Sequence, residues 1–328
     1  MRQPVKNVPA SVRQRLANLA KARGIEFQRI LVLYATERLL YRMSVSPVAD
    51  RFVLKGASLF SLWLDEPHRR TRDLDLLGID EPVPDLFASV FRDLCDPEVD
   101  EDGLRFASET VTASRIREAN EFGGIRVLIT AFLEDARIPL QVDIGFGDAV
   151  VPEPELAVFP TLLDGFAAPR LRAYQKETAI AEKLHALVVL ERSNSRMKDF
   201  YDLFVLSREF SFGSTLLGAA IRDAFARRKT ELPNEAPDGL TMAFAQDPHK
   251  ITQWNAFLQQ NVADPRAAPA LAEIVTAIAA FLLPVLTSAR EPSTCPTTWS
   301  PGGPWVEEPE RKIAEGRPFL STAFRVSK

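Results

Sequence analysis

The stretch Arg72-Asp73-Leu74-Asp75-Leu76-Leu77-Gly78 constrains this chain more than any other. Acid and leucine alternate with the period of a β-strand, whose successive side chains point to opposite faces. Leu74 and Leu76 then enter a core, while Asp73 and Asp75 project together from the other side. Two carboxylates held side by side repel each other, so this strand needs a positive partner. Arg69, Arg70 and Arg72 stand just ahead of it. The fold must bury one face of the strand and keep the other charged.

The segment before it narrows the chemistry. "RFVLKGASLFSLWL" reads as a short strand at 52–54, a turn at Gly56 and a helix from Ser58 to Leu64. A Gly-Ser turn that opens a helix offers backbone N–H groups and a hydroxyl to phosphate oxygens. Mg²⁺ is the partner a carboxylate pair suits, because it is hard, takes oxygen ligands and binds one or two carboxylates plus substrate phosphates. A third carboxylate would complete a two-metal arrangement for in-line displacement. Asp143 is the leading candidate, on the alternating run Gln141-Val142-Asp143-Ile144, which could lie beside the first strand. The plainer alternatives are a solvated strand face for Asp73 and Asp75 and a turn-proximal aspartate for Asp143.

Around this centre the chain changes texture twice. Ser11 reads as the N-cap of a helix ending near Gly24, and a second helix covers roughly 25–43. A helix at about 84–95 follows the acidic strand. From Gly103 the runs "LRFASETV", "GGIRVLITAFL" and "IPLQVDIGFGD" are β-rich and separated by Gly and Pro, as antiparallel strands are. Near residue 160 the pattern turns helical, with segments at 175–191, 198–208, 214–228, 248–260 and 269–287. Prolines at 152, 154, 160 and 169 place a boundary around 150–172. After Arg290, "EPSTCPTTWSPGGPW" predicts a poorly packed tail. The expected divisions are N-terminal helices at 1–50, a mixed core at 51–155, a helical domain at 156–290 and a tail at 291–328.

In the helical half, Lys176 and Lys183 are seven residues apart and share one helix face, and Asp199 and Asp202 share a face of the next helix. A lysine on one helix meeting an aspartate on another fits either a triphosphate clamp or a buried ion pair. Glu177 and Glu182 read as surface or pairing residues, His185 as a satisfied core residue, and Trp254 with Phe257 as core. The cluster Arg227-Arg228-Lys229 suits RNA contact and the negative end of its helix equally.

Composition excludes several classes. With 46% hydrophobic and 26% charged residues the chain is of the ordinary soluble type, and no run approaches the roughly eighteen uninterrupted apolar residues of a membrane span. The N-terminal segment has no apolar signal region, and the two cysteines, Cys95 and Cys295, form no metal-binding spacing, so a reducing cytoplasm is expected. The net charge of −4 argues against nucleic acid as a partner of the whole surface. Residues 1–29, however, carry seven Lys or Arg against Glu26 alone, and an acidic protein can still present a local basic surface.

Gly56-Ala57-Ser58 followed by Asp73-Leu74-Asp75 resembles the signature of the nucleotidyltransferase superfamily. With "FVLKGASLFSLW", "HRRTRDLDLLG", "LQVDIGFGD", "AEKLHAL" and "RMKDFYDL", residues 10–290 resemble the AbiEii/AbiGii-type toxins of type IV toxin–antitoxin and abortive-infection systems. That resemblance implies an α/β (α+β) fold, with a nucleotidyltransferase-like mixed β-sheet core, flanking helices and a helical C-terminal domain. It implies Mg²⁺ or Mn²⁺ on Asp73 and Asp75 and a phosphate turn at Gly56 and Ser58, and Asp143 remains the candidate third ligand from its own strand pattern. Arg69 and Lys183 would bind the nucleoside triphosphate (NTP), Asp199 would be catalytic ahead of Asp202, and Thr71 would be a regulatory phosphorylation site whose phosphate repels metal and nucleotide. Arg70 stands where proline is commoner in the family, which leaves the chemistry intact.

The implied activity is transfer of a nucleotide from NTP to an acceptor, with the tRNA 3′ end foremost, which would stop translation during phage defence. Its RNA surfaces would be the basic N-terminal helix and residues 222–229. A protein hydroxyl as acceptor (AMPylation) and a catalytically idle nucleotide-binding regulator are the alternatives. The implied partner is a cognate antitoxin, either an AbiEi-like winged-helix protein or one of kinase type.

Overall fold

The computed structural model describes residues 7–65, 68–71, 73–96, 99–116, 123–147, 150–262, 264–290 and 297–307. Helix α1 (Val8–Arg23) starts earlier than Ser11 suggests, because the Asn7 side chain accepts from the Ala10 N–H at 3.0 Å and Pro9 is tolerated in the first turn. It ends at Gly24 in the left-handed conformation, and α2 (Phe27–Ser44) follows. The Gly-Ser segment is a tight turn of 3-10 helix, Gly56–Leu59, between β1 (Phe52–Lys55) and the short α3 (Phe60–Trp63).

A seven-stranded mixed sheet organises the first half. Its order is β3 (Leu104–Ile116), β4 (Gly124–Leu133), β5 (Ala136–Phe146), β2 (Asp73–Gly78), β1, β7 (Arg170–Ala173) and β6 (Glu155–Val158). β2 pairs parallel to β5 and antiparallel to β1, and β1 pairs parallel to β7. The sheet therefore continues past residue 160, where helical texture is expected. β6 and β7 are only four residues each and sit at the sheet's margin, so their sequence carries little alternation.

One face of this sheet is closed by α2 and α4 (Pro84–Asp93). Val142, Ile144 and Phe146 of β5 are buried, and Phe87 of α4 meets Phe146 edge-on at 5.3 Å. α1 lies outside α2, behind that face. The first apolar core takes buried residues from Val12 to Ala179. The second takes Phe60 and then residues from Ile180 to Trp299. The two cores meet along α5 (Lys176–Leu190).

The second core is built by α5, α6 (Met197–Glu209), α7 (Ser214–Arg227), α8 (Met242–Ala245), α9 (Pro248–Asn261) and α10 (Leu271–Arg290). Among the described residues α10 is the one helix long and apolar enough to cross a membrane. Its Ile274, Ile278, Phe281, Leu282 and Val285 are buried against the neighbouring helices, as in the central helix of a bundle. Trp254 is buried and donates from its indole to the Pro269 carbonyl at 3.1 Å, which confirms it as core.

The tail departs from expectation. β9 (Thr297–Trp299) and β10 (Trp305–Glu307) form a hairpin on β8 (Phe212–Gly213). Trp299 is buried beside Phe281, and Trp305 stacks on Phe281 at 5.8 Å. Gly303 makes the hairpin possible: at φ +80°, a Cβ there would lie 2.4 Å from the Trp299 ring. Two tryptophans outweigh a turn-rich composition. Cys295 and residues 308–328 lie outside the described residues.

Candidate active site

Register assembles the site. Lys55 of β1 lies opposite Asp75 of β2, Asp75 opposite Asp143 of β5, and Asp143 opposite Arg126 of β4. Side chains in one cross-strand row share a face, so the row reads cation, acid, acid, cation. Asp73, two residues before Asp75, is on the same face. Arg126 grips Asp143 with both arms, Nε to Oδ1 and Nη2 to Oδ2 at 2.8 Å each, and the Gln141 amide adds a bond at 3.1 Å. The hydrogen bond to Asp143 raises the Arg126 pKa, with Asp73 and Asp75 adding to it, so all three carboxylates share one neighbourhood.

Asp75 is held in an unfavourable state. Burial raises its pKa and Asp143 adds to the rise, while Lys198 and Lys55 oppose it. Gly56 presses against it: a Cβ at Gly56, where φ is +69°, would sit 2.1 Å from Asp75 Oδ2. Glycine is thus required twice, by backbone conformation and by the carboxylate it must clear. Ser58 is buried in the same turn, and Thr71 donates from its hydroxyl to the Asp73 carbonyl at 3.3 Å.

A second charged cluster joins the sheet to the helical half. Asp202 of α6 is fully buried and collects two cations and the His68 imidazole, whose pKa burial lowers. Arg69 donates to it from Nε and Nη2, the latter at 2.8 Å; His68 Nε2 lies 2.7 Å away and Lys183 Nζ 2.8 Å. Lys183 also reaches Asp199 Oδ1 at 3.1 Å, and Arg196 reaches Asp199 Oδ2 at 2.9 Å. Burial works against both ions, but Lys183 and Arg69 hold the Asp202 carboxyl well below the usual carboxylate range, and Asp202 and Asp199 keep the Lys183 ammonium charged. The lysine and aspartates that the sequence places on facing helices therefore do meet. Arg69 sits four residues before Asp73, so the cluster also anchors the approach to β2.

A third cluster flanks the row. Glu182 Oε1 accepts from Lys55 at 3.0 Å, from the Tyr174 hydroxyl at 3.2 Å and from Arg228 at 3.4 Å. Arg228 thereby borders the site, whereas α1 stands behind the sheet. Lys176 lies instead over the rings of Trp63 and Phe210, at 5.3 and 4.6 Å. His185 is a core residue bonded to Thr230 at 2.9 Å.

Sequence reasoning misses Lys55, Arg126, Lys198 and the centrality of Asp202. Lys55 and Lys198 are each adjacent to a singled-out residue, Gly56 and Asp199, and that adjacency is the one signal that marks them. Arg126 has none, because strand pairing alone brings it to Asp143. Among the described residues, no group of three or more His, Cys, Asp or Glu side chains is already gathered as a metal site. The sheet order, the row of charged residues and the Gly56 turn now stand together.

The profile of the family described as nucleotidyl transferase AbiEii toxin, Type IV TA system, matches residues 38–277. The chain belongs to the AbiEii family. It is a nucleotidyltransferase and the toxin of a type IV toxin–antitoxin pair, which implies an NTP substrate, a divalent metal and an antitoxin partner. Two solved structures are similar to this AbiEii chain. One is a candidate nucleotidyltransferase from H. pylori, 15% identical with a TM-score of 0.46, covering 82% of this chain and 99% of that one. The other is JHP933 from Helicobacter pylori, 14% identical with a TM-score of 0.46, covering 80% and 94%. No curated protein matches this chain.

The AbiEii residues fit the implied metal by donor chemistry. Asp73, Asp75 and Asp143 offer hard oxygen donors on one face, and a cation would offset the burial and the Asp143 charge that raise Asp75. Asp143 would have to exchange its bonds to Arg126 for the ion.

Proposed function

We propose that this toxin transfers a nucleoside monophosphate from NTP to the 3′ end of tRNA and so blocks aminoacylation and translation in the cytoplasm. The observation that carries the transfer chemistry is the cross-strand row in which Asp75 faces Asp143 beside the Gly56 turn. Asp73, Asp75 and Asp143 would hold Mg²⁺ or Mn²⁺. Such ions, when bound, neutralise the triphosphate and ease loss of the acceptor proton.

The chain's own groups do the rest. The turn at Gly56 and Ser58 receives phosphate oxygens, and Gly56, by lacking a side chain, lets them approach Asp75. Lys183, kept charged by Asp202 and Asp199, faces the phosphates from the helical half, and Arg69 braces the same wall. Asp199 orients Lys183 and joins Asp73 and Asp75 in the catalytic set. The acceptor hydroxyl attacks the α-phosphorus, the bond to pyrophosphate breaks, and the hydroxyl proton is released. Phosphorylation of Thr71 would place about two negative charges beside Asp73 and silence the site. The antitoxin, a winged-helix protein or a kinase, would act on this face.

The test is to incubate the protein with total tRNA, Mg²⁺ and each α-³²P-labelled NTP, alongside Asp73→Ala and Lys183→Ala. Label on tRNA that vanishes in both variants supports the proposal. Label on protein instead moves the acceptor to a protein hydroxyl, and no label with any NTP leaves a nucleotide-binding regulator.

A further inference from the structure

The face that carries the carboxylates runs on beyond them. Moving away from Asp143 and Arg126, the pairs on this face are Gln141 with Leu128, Pro139 with Thr130, and Arg137 with Phe132. β3 adds Thr112 opposite Leu128 and Arg105 opposite Phe132. The reverse face of the same strands is core, with Val127, Ile129, Ala131, Ile138 and Leu140 all buried. Most of the carboxylate face is open: Leu128 is 45% exposed, Arg105, Thr112, Pro139 and Arg137 are exposed and Phe132 is half-buried, while Thr130 is buried where the Thr110 hydroxyl of β3 accepts from its N–H.

Antiparallel sheets often leave one face to water, so openness alone selects nothing. Composition does. A merely solvated face is polar, whereas here Leu128, Phe132 and Pro139 interleave with Arg105, Arg126 and Arg137. The Arg105 guanidinium lies 4.5 Å from the Phe132 ring centroid, and its contact with Glu109 is a 3.6 Å pair between two well-exposed side chains, which contributes little. Guanidinium groups for phosphates beside flat apolar surface for bases is the composition that binds single-stranded nucleic acid. Placement adds direction. Six residues of β5 separate Arg137 from Asp143, about 20 Å at ~3.4 Å per residue, so a strand laid along this face would deliver its end to the carboxylates.

We infer that this face of β3, β4 and β5 is the docking platform for the single-stranded 3′ end of the acceptor RNA, an inference that rests on RNA being the acceptor. The charge complementarity and the continuity with the catalytic row favour RNA over a protein acceptor. The arginines hold the backbone, and Phe132 with Leu128 supports unstacked bases.

The test uses the full chain and a fluorescein-labelled single-stranded oligoribonucleotide ending in CCA. Its binding is followed by anisotropy over a salt series, with NTP binding measured separately by calorimetry. The double variant Arg105→Glu/Arg137→Glu is expected to weaken RNA binding at least tenfold and flatten the salt slope by about 1.4, at ~0.7 per lost single-strand contact. Its NTP affinity should match wild type, and transfer to tRNA should fall through KM rather than kcat. Phe132→Leu should weaken binding severalfold with no change in salt slope. Arg92→Glu, on α4 behind the sheet, should change neither. If the double variant loses its fold by thermal melting, Arg137→Gln and Phe132→Leu decide. Variants that bind and label tRNA as wild type does would overturn the platform and leave RNA transfer standing. A wild type that labels protein and binds no RNA would overturn both.

Discussion

Asp75 and Asp143 face each other across parallel strands, and Gly56 leaves the space that one of their carboxylates fills. Three residues distant in sequence thus meet at one point of the sheet. Lys55 and Arg126 close the row at either end, so the pair is held between fixed cations.

Gly56→Ala should abolish nucleotidyl transfer while the protein still folds. The new Cβ would overlap Asp75 Oδ2, and the positive φ adds about 1–2 kcal/mol of strain for a non-glycine residue. Labelling assays beside a urea titration would separate the two effects. Activity within a few-fold of wild type would show that Asp75 can sit elsewhere and still function.

Asp75→Asn should raise the melting temperature of the metal-free protein. The sign follows from the raised pKa of Asp75. A carboxyl raised in the folded state binds its proton more tightly there, so its ionisation lowers stability as pH climbs through the folded value. The amide carries no charge, and the gain should fade in acid, where the aspartate is already protonated. Melting in EDTA and in Mg²⁺ checks this: wild type should gain from the ion and the variant should not. A variant less stable than wild type in EDTA would refute the charge-relief argument.

Asp202→Ala should cost about 3–5 kcal/mol, because Arg69 and Lys183 would lose their shared buried counter-ion and His68 its hydrogen-bond partner. Arg196→Ala, with a half-exposed side chain on Asp199, should change stability by no more than ~1 kcal/mol. The Asp202 carboxyl is depressed, so its contribution is complete above the ordinary carboxylate pKa of about 3.9 and is lost progressively as pH falls below that value towards the folded one. Denaturant titrations at neutral pH and at about pH 3 would reveal both the size and the acid dependence.

Trp299→Ala should destabilise the helical half by about 3–5 kcal/mol, the usual range for deleting a buried large aromatic. Its indole donates to the Ser207 carbonyl at 2.7 Å, and its ring packs on Phe281. A loss below ~1 kcal/mol would mean that the hairpin at 297–307 contributes little to the second core.

Local sequence determined what local physics can encode. Alternation in Asp73-Leu74-Asp75-Leu76 made a strand with both acids on one face, Gly56-Ala57-Ser58 made a turn, and 3.6-residue periodicity marked α5, α6, α7, α9 and α10 to within a few residues. The placing of Lys183 against Asp199 was legible because helix spacing puts each on a defined face. Tertiary structure alone decided what depends on pairing between distant segments. Strand register brought Arg126 and Lys55 to the carboxylates, and burial chose Asp202 over Asp199 as the centre of the cation cluster. The four-residue strands β6 and β7 escaped notice because so short a run has too few alternations to declare a period. The C-terminal hairpin escaped because two tryptophans find their partners, Phe281 and each other, only once α10 is in place.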